Sequence, residues 1–132
     1  MTSKYPVLKA TMEELKKNLS IDFKLVYGYS GSNDSGWFDG FHFQGDKGGS
    51  NSEPLIVSEA LLDYVNKNNE AIEKELYTLL ESRFPGWEIG DGDVNGSSGV
   101  FLIRSSSMTI QQEHMIEYNS NEDASPEEIE EL

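Results

Sequence analysis

The sequence predicts a single α+β domain, mainly an antiparallel sheet of about five strands with two or three helices packed on one face. Apolar residues recur at helical spacing in two separate segments and at alternate positions in the stretches that follow each of them. Clusters of Gly, Ser, Asn and Asp mark the places where the period changes. Two strand patterns joined directly by a short polar segment call for antiparallel pairing, with the helices gathered to one side.

The first helix falls within residues 6 to 19, where Leu8, Met12, Leu15 and Leu19 share a face and Lys9, Lys16 and Lys17 take the other. Thr11 and Glu14 have the spacing of a capping box. From Ile21 the period drops to two: Ile21, Phe23, Leu25, Tyr27 and Tyr29 line one face of a strand. Trp37, Phe41 and Phe43 alternate with Phe38, Gly40 and His42 in a second strand. After a Gly/Ser loop from Asp46 to Glu53, Ser58 offers an N-cap to a helix carrying Leu61, Val65, Ile72, Leu76 and Leu79. Phe84-Pro-Gly86 stops that helix, and Asn66 to Asn69 are a possible break within it. Strand signals follow at Trp87 to Gly90, Val100 to Arg104 and Met108 to Tyr118, the last placing Ile110, Gln112, His114 and Ile116 on one face.

The chain has 132 residues, enough to bury about two-thirds of its unfolded surface in one core. Without cysteine there is no disulfide and no thiolate metal site. No apolar run approaches the roughly 20 residues of a membrane helix, and the first residues lack the apolar core of a signal peptide, so a cytoplasmic, membrane-free protein is expected. Its 24 acidic and 10 basic residues give a net charge of −14. Direct nucleic-acid binding is therefore not expected, because such affinity rests on Lys and Arg displacing counterions from phosphates. Residues 119–132 hold six acids and no base, and without them 18 acids against 10 bases leave −8. The organisation expected is a domain over 1–118 followed by a flexible acidic tail, too poor in apolar residues to offset the entropy of ordering.

Two polar loops hold the candidate binding residues. The first runs through Tyr29, Ser30, Ser32 and Asp34 to Trp37, and the second through Trp87, Glu88, Asp91 and Asp93. Asp34, Glu88, Asp91 and Asp93 would form one acidic rim if both loops left the same end of the sheet. Asp91, Asp93 and Asn95, with Gly96, match positions 1, 3, 5 and 6 of a calcium loop, which makes a Ca²⁺ or Mg²⁺ site the minority reading. Leu102 stands where the closing glutamate belongs, and short Asp, Asn and Gly runs are also ordinary turn material. The first loop lacks the lysine and glycine spacing of a phosphate loop, and no serine sits in a nucleophile elbow. His42 and His114 are the only histidines; His114, on an apolar strand face, reads as a hydrogen-bonded core or interface residue.

Gly28-Tyr-Ser-Gly-Ser-Asn-Asp-Ser-Gly36, Gly86-Trp-Glu-Ile-Gly-Asp-Gly92 and the strand from Ile110 to His114 together resemble a family of short acidic bacterial proteins, plasmid-borne and phage-borne members included. The likeness covers residues 23 to 118. It departs at Ser32-Asn33-Asp34, where the family more often has Ser-Gly-Asp, and at Asp93 to Gly99, which lengthens the second loop. The resemblance implies a compact bacterial or mobile-element domain and brings no functional residues with it.

Charge carries the functional expectation: a non-enzymatic interaction domain that docks on a basic protein surface, in the manner of an inhibitor, an immunity protein or a nucleic-acid mimic. Two alternatives stand beside it. One is a small hydrolase or metal-binding protein using the carboxylates. The other is a self-assembling structural protein with His114 and its strand at a homodimer interface.

Overall fold

The computed structural model describes residues 4–32, 35–46, 54–83, 94–118, 122–124 and 128–132. In chain order the elements are α1 (Pro6–Asn18), β1 (Phe23–Ser32), β2 (Ser35–Gly45), α2 (Glu59–Arg83), β3 (Val94–Arg104), β4 (Thr109–Tyr118), β5 (Glu122–Ala124) and β6 (Glu128–Glu131). Four long strands form an antiparallel sheet in the order β2-β1-β3-β4, and β5 and β6 both pair with the outer edge of β4. The α+β architecture expected from the sequence is the one observed.

Alternation places Phe23, Leu25, Tyr27 and Tyr29 of β1 on the face that meets the helices, beside Phe43 of β2, Phe101 and Ile103 of β3, and Ile110 of β4. The helices answer with Leu8, Met12 and Leu15 from α1 and Val65, Ile72, Leu76 and Leu80 from α2, all fully buried. At about 25 cal/mol per Å² of apolar surface, this shared core is the main source of stability. The opposite face is more open, with Trp37 47% and Met115 38% exposed.

α1 does not begin at a Thr11 capping box. Thr11 lies inside the helix, where its Oγ1 donates to the Val7 carbonyl oxygen at 2.8 Å. The cap comes from the other helix: Glu75 of α2 accepts from Val7 N and Leu8 N, each at 2.9 Å. A carboxylate there satisfies two amides that the helix leaves unpaired and also complements the helix dipole. Ile21 lies before β1 and is 52% exposed rather than on its buried face.

α2 runs 25 residues without a break at its asparagines. Their side chains are used instead, Asn68 Nδ2 donating to Tyr64 O and Asn69 Nδ2 to Glu73 Oε2, while Asn69 Oδ1 accepts from the Tyr27 hydroxyl at 2.8 Å. At one end of the sheet Arg104 pairs with Asp46 at 2.6 Å, tying the end of β3 to the residue after β2.

Where the composition suggested an unordered tail, Glu122–Ala124 and Glu128–Glu131 pair with β4, with Met115 opposite Ala124 and Thr109 opposite Glu131. Leu132 N then donates to Met108 O at 3.0 Å, and the Leu132 side chain packs on the core. Main-chain pairing needs no apolar composition, which is why the sequence pattern missed it. Among the described residues no helix is long and apolar enough to cross a membrane.

Candidate functional site

Gly31 of β1 pairs with Ser97 of β3, so the end of β1 and the beginning of β3 lie side by side. The β1–β2 connection and the segment that enters β3 therefore meet the sheet at the same end. The antiparallel pairing of β1 and β3 produces this. Val94 to Gly99, expected to lengthen the second loop, belong to β3, with a bulge between Val94 and Gly96.

Just inside this end lies a buried polar chain. Arg83, the last residue of α2, donates from Nη1 to Gln112 Oε1 at 2.8 Å. Gln112 Nε2 donates to Tyr29 Oη at 3.0 Å, and Tyr29 Oη lies 2.6 Å from His114 Nδ1. Arginine can only donate, and that fixes the Gln112 amide. Gln112 turns its oxygen to Arg83 and its amide nitrogen to Tyr29, whose hydroxyl oxygen accepts there; the donor across the Tyr29–His114 contact follows the imidazole tautomer.

Burial pushes the His114 imidazole down to about 4. Burial also pushes the Tyr29 phenol up to about 12, against opposing pulls from the Gln112 hydrogen bond and the Arg83 charge. Tyr29 and His114 are 1% and 3% exposed, and their rings stack with centroids 5.8 Å apart. Phe101 packs against Tyr29 with ring centroids 5.2 Å apart. Gly99 lies between Tyr29 and His114 in the strand register, and a Cβ there would collide with the Tyr29 hydroxyl and the Glu113 carbonyl oxygen. The arrangement holds a neutral imidazole and a protonated phenol rigidly beneath the sheet end where the two polar segments attach.

The sequence candidates divide sharply. Tyr29 faces the helices and belongs to the buried chain, so it is not a surface anchor. Ser30 is half-buried and pairs in register with the exposed Trp37. Ser32 ends β1. Asn95 lies in β3 at the bulge. Asp34, Trp87, Glu88, Asp91 and Asp93 lie outside the described residues, and with them the acidic rim and most of the calcium-like hexapeptide. Among the described residues no group of three His, Asp or Glu side chains is placed to hold a metal ion.

His114 is a hydrogen-bonded core residue, as its setting on an apolar strand face suggested. It points into its own domain, and β5 and β6 pair with the outer edge of β4 at residues 115–117 and 109–112. Arg83 escaped the sequence reasoning. The available signal was Gln112 and His114 at successive inward positions of one strand, because two buried polar groups require partners. No family model, curated protein or solved structure matches the chain. The resemblance stated above rests on the residues quoted for it.

Proposed function

We propose that this protein is a non-enzymatic interaction domain that binds a basic protein surface. The observation that carries this reading is the net charge of −14 on 132 residues. A field of that sign steers cationic partners and repels polyanions. Two further features support it. Trp37 is 47% exposed on the open face of the sheet, with the exposed Asp39 two residues away in the same strand. An accessible aromatic beside a carboxylate is a favourable anchor for a cationic side chain. Glu122–Ala124 and Glu128–Glu131 pair with β4, so the acidic residues of those two short strands belong to the sheet.

In this reading the Arg83–Gln112–Tyr29–His114 chain is structural: it fixes the end of α2 to the sheet. The test is affinity capture from the native host by the full chain, with Trp37→Ala and Asp39→Lys as controls. The expected catch is one or a few basic proteins, depleted by both variants. Recovery of nucleic acid, or of acidic proteins indifferent to both changes, would overturn the reading.

A further inference from the structure

We propose that the open edge of β2 accepts an extended cationic segment of the partner as an added strand. The inference rests on the acidic-binder reading and assigns it a surface and a ligand form.

The direction of the peptide groups comes first. Phe23 O accepts from Ser105 N, so the groups of Phe23, and of Leu25, Tyr27 and Tyr29 by alternation, turn toward β3. Their partners on β2, namely Phe43, Phe41 and Phe38, then turn their groups away from β1 and out of the sheet. Leu55 N already donates to Phe43 O at 3.0 Å, and Gln44 bridges Pro54, so this edge is used at one end. From Ser35 to His42 no described residue pairs with it. Phe41 and Phe38 thus present main-chain donors and acceptors, and unpaired strand edges recruit strands.

The side chains at the edge specify what kind of strand fits. On the helix side Phe38 and Phe41 are only half-buried, leaving ring surface at the rim that an added apolar residue would cover. On the open side stand Trp37 and Asp39, the Asp39 carboxylate lying over Gly28 where a Cβ would touch it. An incoming strand with alternating residues would put apolar groups toward the phenylalanines and cations toward Trp37 and Asp39. A second copy of this chain is a poor occupant. Each copy carries −14, so two like edges would meet with repulsion where a cationic strand is attracted.

The test uses a short acetylated peptide of alternating lysine and valine and amide hydrogen exchange of the intact protein, at about 50 mM salt. Peptide addition is expected to slow exchange at Phe38 and Phe41 by at least about tenfold, with no such change along β4. N-methylating alternate peptide amides should abolish the protection, and Asp39→Lys should weaken binding about tenfold or more. If the N-methylated peptide binds as well as the parent, or if binding leaves Phe38 and Phe41 unprotected, edge addition is wrong while charge attraction survives. No binding of the probe at all would also overturn edge addition. The underlying reading falls separately, if the capture experiment yields no basic partner.

Discussion

Tyr29→Phe removes one oxygen and nothing else from the most enclosed part of the domain. The ring keeps its packing on Phe101 and its stack on His114. What disappears is the acceptor for Gln112 Nε2 at 3.0 Å and the hydrogen-bond partner of His114 Nδ1 at 2.6 Å. Each hydrogen bond contributes about 1 kcal/mol net, and each buried group left without its partner adds a desolvation cost of about 1–3 kcal/mol, partly relieved by relaxation. The expected loss is about 2–4 kcal/mol, or roughly 8–15 °C in Tm for a domain of this size. Thermal unfolding followed by circular dichroism measures it. The cycle with His114→Leu sharpens the test, because the double variant should cost less than the sum of the singles by about 1 kcal/mol or more. A Tyr29→Phe loss under about 0.5 kcal/mol with additive singles would refute the hydrogen-bonded chain from Arg83 to His114.

Three further outcomes are expected. Gly99→Ala should destabilise by at least about 2 kcal/mol, since the new methyl meets the Tyr29 hydroxyl and the Glu113 backbone; chemical denaturation reads it, and a neutral effect would contradict the close approach. The folded chain holds His114 near 4 and the unfolded chain returns it to about 6.5, so the unfolded state binds more protons between those values. Its contribution is complete above pH 6.5 and fades as pH falls toward 4, so Tm profiles of the parent and of His114→Phe should converge on acidification and stay parallel above pH 7. Deleting residues 119–132 should leave a folded domain with Tm lowered by roughly 5 °C, from the loss of β5, β6 and the Leu132 contact; an unchanged Tm would show that those strands contribute nothing.

The elements that bury a regular apolar stripe were legible in the sequence. Leu8, Met12 and Leu15 placed α1, and Phe23 to Tyr29 placed the inner face of β1, because period alone decides which side of such an element meets the core. Features that depend on distant partners were not legible. Glu75 caps α1 across 68 positions of sequence, so a local Thr11-Glu14 pattern pointed to a start that the chain does not use. Asn66 to Asn69 looked like a helix break, yet Asn69 is held by Tyr27 from the sheet. At the candidate site, His114 and Gln112 were readable as inward-facing polar residues. The order of their hydrogen bonds depends on Arg83, which only the packing of α2 on the sheet brings to them. Glu122–Ala124 and Glu128–Glu131 escaped because they are held by backbone pairing with β4, which composition does not record.

Attraction between the acidic domain and a basic partner is measured by the affinity of the captured partner as a function of salt, for the parent and for Asp39→Lys. Affinity should weaken at least about tenfold between about 50 and 300 mM salt, with the variant weaker at low salt and the two curves converging as screening grows. An affinity indifferent to both salt and the Asp39 charge would contradict it.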